Sequence, residues 1–440
     1  MSTLVKKQPN PWYVAVVSGM ASYIDSCAII TSGTALAIYQ AAFAGTAHAL
    51  SNIQFGALES SLTLCIAIAS IIGGRLGDLY GRKKVFAVTM CFIILGALMV
   101  TFGKAFPILL IGQILIGCGV GADLPVSLAT ISETAPDGQR GKMLGFSDIL
   151  WVVGILAAYG TGVAVSKGIG DDVLLSGQIM YGVLAIVCAV VLALRMTIPE
   201  SEIWLKAHAD RKAGIVTDAS KVGIGDLFKN KEYALPFIAL IIFYIGTNVP
   251  ANTLGQFSTW VAMNVIHLEV WVSSLICMLV YPARALLDIV FMKYVDTDKR
   301  MPLFYIGAAL YLAGFLMFPI FGFNMVTFIL TQLLYCMGAA FAFESILKVW
   351  MQECFPTLLR TTANGAIVFS SRLCCAAFGL FTASIISFNV KFAFILLALF
   401  CVIGFASAIL VFRKRRYNTF EEDDAAAAAE AAEVVETKEA

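Results

Sequence analysis

Three aspartates of this chain stand where charge is expensive. Asp25 lies within the apolar run Tyr23-Ile24-Asp25-Ser26-Cys27-Ala28-Ile29, Asp123 within Gly121-Ala122-Asp123-Leu124-Pro125, and Asp148 just before Ile149-Leu150-Trp151. An ionisable group inside hydrocarbon is costly to keep and therefore reads first as functional. A carboxyl group held in low dielectric without a fixed cation is cheaper to carry neutral than charged, so it can load and release a proton. Asp25, Asp123 and Asp148 are the candidate proton-coupling residues. Further along, Glu344 and Lys348 stand one helical turn apart, and Arg372 stands in another apolar run. The i,i+4 spacing puts Glu344 and Lys348 on one helix face, either as a self-neutralised packing pair or as ligand contacts. Arg372 would then be available to a substrate carboxylate. Arg284 and Asp288 have the same spacing and read as a structural pair.

A second constellation is uncharged. Asn248, Asn252, Gln256 and Trp260 recur every four residues and form one slightly drifting stripe on a helix. Amides both donate and accept, which suits a polyhydroxylated ligand, and an aromatic face suits a sugar ring. Pro250, Gly246 and Gly255 would let that helix break, as gating helices do at a midplane site. Interhelical packing by the same amides accounts for one or two of the four more easily than for all. Trp151, one turn from Asp148, is the aromatic most expected beside the ligand, with Tyr159, Gln332, Tyr335 and Trp350 as further wall residues.

These groups need elements to carry them, and composition says which. Of 440 residues, 60% are hydrophobic and 13% charged; a soluble domain carries about 25% charge. The excess apolar surface must face lipid. With about 20 residues needed per crossing, spans are expected at 12–40, 54–76, 84–103, 107–132, 143–165, 178–198, 233–265, 271–293, 302–320, 323–352, 364–386 and 391–412. Only Lys104, Lys167 and Lys391 fall outside if both termini are cytoplasmic, while Arg284, Lys348 and Arg372 lie within spans; the remaining basic residues are then inside. The expected organisation is a six-helix bundle over 1–198, a cytoplasmic linker over 199–232, a second bundle over 233–412 and an acidic, Ala-rich tail over 413–440. The first apolar stretch is too long for a cleaved signal and reads as a retained span. The eleven cysteines show no paired spacing and the three histidines are isolated, so neither a metal site, a cofactor nor a disulfide framework is expected. A net charge of +1 gives no sign of nucleic-acid binding. One internal repeat is visible: Glu133, Pro136, Arg140, Gly145 recur half a chain-length later as Glu353, Pro356, Arg360, Gly365. Repeated halves with a site between them are how many secondary transporters are built.

Three motifs resemble the major facilitator superfamily and, within it, the sugar-porter-like metabolite:proton symporters. They are Gly73-Gly74-Arg75-Leu76-Gly77-Asp78-Leu79-Tyr80-Gly81-Arg82-Lys83-Lys84, Gly117-Cys118-Gly119-Val120-Gly121-Ala122-Asp123-Leu124-Pro125-Val126, and Pro199-Glu200-Ser201-Glu202-Ile203-Trp204-Leu205. The resemblance implies an all-α integral membrane protein with twelve transmembrane helices in two pseudo-symmetric six-helix bundles. It also implies a cytoplasmic gate of Asp78, Arg82, Glu133, Arg140, Glu353 and Arg360 that latches one state. It makes Asp25 the proton-binding aspartate of helix one, and it agrees with an amide-bearing helix seven at the ligand. Where proton-linked sugar porters carry an Arg in helix four, this chain has Gln113. Asp25 thereby loses its expected partner, and Asp123 becomes a second proton candidate.

The expected function is secondary transport, by alternating access, of a small hydrophilic metabolite (a sugar, polyol or sugar acid) coupled to H+. The substrate contacts are expected from Gln113, Trp151, Asn248, Asn252, Gln256, Trp260, Glu344, Lys348 and Arg372. A carboxylate carrier, an uncoupled facilitator and a non-transporting nutrient sensor on the same fold are the alternatives. No nucleophile–base or metal-ligand constellation supports an enzyme. The protein is expected in the cell membrane, in the bilayer as a functional monomer, with both termini cytoplasmic.

Overall fold

The computed structural model describes residues 10–136, 140–168, 173–200, 205, 231–295, 297–355 and 357–413. Most of the expected linker and the acidic tail lie outside these residues, as do the side chains of Asp78, Arg140, Asp148 and Arg360.

Among the described residues the chain is helical, with twelve helices long and apolar enough to cross a membrane. They are α1 Pro11–Ala42, α2 Asn52–Tyr80, α3 Arg82–Phe102, α4 Phe106–Thr134, α5 Arg140–Gly168, α6 Val173–Arg195, α7 Lys231–Val261, α8 Val270–Tyr294, α9 Arg300–Phe321, α10 Met325–Ala342, α11 Thr357–Phe388 and α12 Val390–Phe412. Past Phe343, α10 continues as a second piece, Glu344–Glu353. Some of the helices start where a short polar side chain takes up free backbone N–H groups. Asn10 accepts from Trp12 N, and reciprocal capping boxes join Ser51 to Gln54 and Asn324 to Thr327. Gly81 alone links α2 to α3, at φ 97°, a conformation that costs a side-chain-bearing residue dearly.

Helix packing repeats from one half to the other. In the first half α2 packs on α4, α3 on α4 and α6, and α1 on α5 and α6; in the second, α8 packs on α10, α9 on α10 and α12, and α7 on α11 and α12. Adding six to each helix number converts one list into the other. Between the halves the contacts are α1 with α7, α2 with α11 and α5 with α8, which the same rule exchanges. Leu279, Leu286, Ile186 and Leu410 project outward uncovered, as a lipid-facing rim requires.

The halves close on each other at one end, here called the far end because the turn at Gly81 lies opposite. Trp260 Nε1 donates to Gln40 Oε1 at 2.6 Å, Asn52 Nδ2 to Ser387 Oγ at 2.8 Å, and Gln256 Nε2 to Thr63 Oγ1 at 2.9 Å. Thr34 and Thr259 share a hydrogen bond at 3.3 Å. Backbones touch there as well. A Cβ at Gly33 would stand 2.3 Å from Gln256 O, and one at Gly56 would stand 2.3 Å from Leu380 O.

Candidate functional site

Asp25 sits at the middle of α1, 3% exposed. Its Oδ2 accepts a hydrogen bond from Trp151 Nε1 of α5 at 3.3 Å, while Oδ1 is buried without a hydrogen-bond partner. Packing fixes this arrangement, because Ser26 Oγ donates to Trp151 O at 2.7 Å and locks α1 against α5 at that level. The charged groups that act on Asp25 both come from the second half: Arg372 of α11 and Glu344 of α10. Asp25 in turn acts on Arg372, together with Tyr244 and Glu344. The helix-four position is Gln113, and among the described residues no ion pair reaches Asp25; Arg372 acts on it from across the interface between halves, beyond ion-pair distance.

Around this pair the second half supplies polar walls. Tyr244 Oη donates to Glu344 Oε1 at 3.2 Å, Asn248 Nδ2 to Ser371 Oγ at 3.0 Å, and Ser371 Oγ to Tyr244 O at 3.3 Å. Gln332 Nε2 is also buried without a partner, but it stands twelve residues before Glu344, about 18 Å along α10 and away from this pair. The Arg284 guanidinium lies 5.3 Å over the Trp151 ring and 3.7 Å from Asp288, so this pair adds a stacked, half-neutralised cation to the wall. Glu344 begins the second piece of α10, where free backbone N–H groups favour a carboxylate. One turn on, Lys348 lies on the exposed side of that piece.

The amide stripe of α7 does not act as one surface. Asn248 reaches the central cluster, and Asn252 donates to Gln256 Oε1 at 2.9 Å. Gln256 and Trp260 belong to the far-end seal through Thr63 and Gln40. The physical reason is length: twelve residues of helix rise about 18 Å, more than one small ligand spans. Gln113 also stands away from Asp25. It is fully buried between α1, α4 and α6, and its Nε2 donates to Ser32 Oγ at 3.1 Å and to Tyr181 Oη at 2.5 Å.

Asp123 occupies a different setting from the one expected. It is 2% exposed, accepts from Thr89 Oγ1 at 3.0 Å and pairs with Arg195 at the end of α6. Arg195 is itself fixed by Ser18 O at 3.2 Å and Ser127 Oγ at 3.1 Å.

At the Gly81 end the repeated glutamates find arginines. Arg82 Nη2 donates to Glu133 at 2.7 Å, and Arg300 makes a two-pronged contact with Glu353 at 2.7 and 2.8 Å. Glu200 caps α3 by accepting from Arg82 N at 2.8 Å and Lys83 N at 3.2 Å. Sequence reasoning missed Glu59, Arg195 and Arg300. Arg300 carried a readable signal: Lys299-Arg300 stands in the second half where Gly81-Arg82 stands in the first, each Arg opening a helix. Arg195 looked like an ordinary end-of-span charge, and Glu59, lying inside the expected second span, was flanked by Ser60 and Ser61.

Comparison with known proteins agrees with this architecture. The profile of the Major Facilitator Superfamily matches residues 24–379. The minor myo-inositol transporter IolF of Bacillus subtilis is 28% identical over 379 residues, 84% of each chain. A partial match to the human solute carrier family 2 facilitated glucose transporter member 12 is 30% identical but spans 34% of this chain and 25% of that one. The inward-open xylose transporter XylE of E. coli superposes with a TM-score of 0.72 at 19% identity, covering 91% of this chain and 94% of that one. The chain belongs to the Major Facilitator Superfamily.

Proposed function

We propose that this protein carries a neutral, polyhydroxylated metabolite of the polyol or sugar class across the cell membrane, driven by co-transported protons. The observation that carries this reading is the set of uncharged hydrogen-bonding groups at the centre, where Asn248, Ser371 and Tyr244 are joined. Asn248, Asn252 and Ser371 supply the mixed donors and acceptors that a ring of hydroxyls needs, and Trp151 offers an apolar face. The names of the relatives point the same way: IolF for myo-inositol and XylE for xylose.

Proton coupling follows from the position of Asp25. Arg372 belongs to the half that moves relative to Asp25, so the cation that stabilises the carboxylate comes and goes with the rocking of the bundles. Asp25 binds its proton when the cation withdraws and yields it when the cation returns. Asp123, already neutralised by Arg195, is left to structure. The two Glu–Arg contacts at the Gly81 end tie helices within each half, and the excess of Lys and Arg places that end in the cytoplasm.

The test is uptake of labelled myo-inositol and labelled xylose into proteoliposomes under an imposed pH gradient. Uphill accumulation of either, lost in Asp25→Asn while exchange persists, supports the reading. Accumulation that ignores the pH gradient, or competition by hydroxy acids but not by polyols, overturns it.

A further inference from the structure

Glu59 of α2 is fully buried, and both of its carboxylate oxygens stand 3.2 Å from one hydroxyl, Ser32 Oγ. A hydroxyl has one hydrogen, so it satisfies one of the two oxygens at a time. Ser32 is in turn the acceptor of Gln113 Nε2, which also donates to Tyr181. The cluster is thus a chain of neutral groups from α1, α4 and α6 converging on one acid. Tyr181 is the titratable group facing it, with the Tyr39 ring tilted behind at 6.3 Å between ring centroids. From α7 the neighbours are neutral: Gln256 contacts Thr63 and the backbone carbonyl of Glu59. From α11 the neighbour is the backbone at Leu380, packed on Gly56. No Lys, Arg or His among the described residues pairs with Glu59.

The cluster holds more acceptor sites than its hydrogen bonds fill. Glu59 offers more acceptor sites than Ser32 can fill, and Gln113 Oε1 is buried with no partner at all. A carboxylate left ionised under these conditions would be an uncompensated buried charge, among the costliest features a protein can hold. A proton on Glu59 removes the charge and adds a donor.

Its place in the fold gives that proton a job. Gly33, next to Ser32, and Gly56, one turn before Glu59, are the points where α1 touches α7 and α2 touches α11 with no side chain between. Glu59 lies directly behind both contacts. When they part, water reaches the cluster; when they close, it is shut in.

We propose that Glu59 is a second proton-binding site, loaded while the far end is sealed and exchanging its proton with the water outside when α1/α7 and α2/α11 separate. The step is Glu59-COOH giving its proton to water with the O–H electron pair left on the carboxylate, and the reverse on reclosing. It rests on the transport reading above but uses a different residue and a different face of the protein from Asp25.

The experiment is an infrared pH titration of the purified full-length chain, following the C=O stretch of protonated carboxyl groups, in wild type, Glu59→Gln and Ser32→Ala. The expected result is a carboxyl band present in wild type and lost in Glu59→Gln. Hydrogen–deuterium exchange of the far-end segments should be slower in Glu59→Gln than in wild type, because the amide mimics the loaded, sealed form. If Glu59→Gln fails to fold, Ser32→Ala must move the midpoint of the same band. An infrared spectrum identical in wild type and Glu59→Gln, or a band abolished by sodium ions at fixed pH, overturns the proposal, the second outcome making the cluster a metal-cation site. Failure of the two readings is separable. Loss of myo-inositol accumulation in Asp25→Asn with no Glu59 band keeps the coupling and removes this site; a Glu59 band with full accumulation in Asp25→Asn does the reverse.

Discussion

Asp123 and Asp25 are both buried aspartates of the first half, yet they are built for opposite ends. Asp123 is answered from within its own half, by Arg195 on α6, Thr89 on α3 and the carbonyls and hydroxyls that hold Arg195 in turn. Asp25 has one hydrogen bond from its own half, and the charges that act on it sit on the other. A bond inside a rigid body cannot sense that body's movement, whereas an interaction across the divide changes with every stroke. On the proposed mechanism, location relative to the divide, more than burial or residue type, separates a structural acid from a working one.

Breaking the first of the pair should have the largest effect. Arg195→Ala strands a buried carboxylate and should cost about 3–5 kcal/mol of stability, seen as a lowered melting temperature in detergent; Asp123→Asn combined with Arg195→Gln should recover part of it. Wild-type melting of Arg195→Ala would erase the distinction. Arg372→Gln sharpens the contrast from the other side. Melting should stay near wild type while uptake falls about tenfold or more, a change of about 1.4 kcal/mol or above in the barrier. A large stability loss with transport intact would reverse the assignment. Gly33→Ala tests the divide itself. The added methyl meets backbone of α7 and should cost the sealed state about 1–3 kcal/mol, read as faster hydrogen exchange at 253–266. Smallest of all, Trp260→Phe removes one neutral hydrogen bond to Gln40 and should loosen the same seal by about 1 kcal/mol, with myo-inositol affinity little changed because Trp260 stands away from the centre.

The spans and the duplicated halves were legible because each is written many times over: hydrophobic length recurs twelve times, and the Glu–Pro–Arg–Gly spacing recurs once per half. The central site was legible in part, since Asp25, Glu344 and Arg372 advertise themselves by their cost in an apolar run. What the sequence hid is depth and direction. Asn248 and Trp260 share a helix face, yet one belongs to the centre and the other to the seal. Gln113 marked a missing arginine, but not that Arg372 would approach Asp25 from a distant helix. Glu59 escaped notice because its flanking serines made a buried acid look like the polar end of a span.

The interruption of α10 at Phe343 (φ −131°, ψ −122°) has a mechanical outcome. Beyond it, Glu344 and Glu353 are the two ends of one short rigid rod, about 14 Å from tip to tip. One tip touches Tyr244 beside the central cluster, and the other grips Arg300 at the Gly81 end. The hinge sits beside Glu344, so a tilt that barely moves that tip swings the Glu353 tip farthest, and any bend of α10 is felt at the clasp on Arg300.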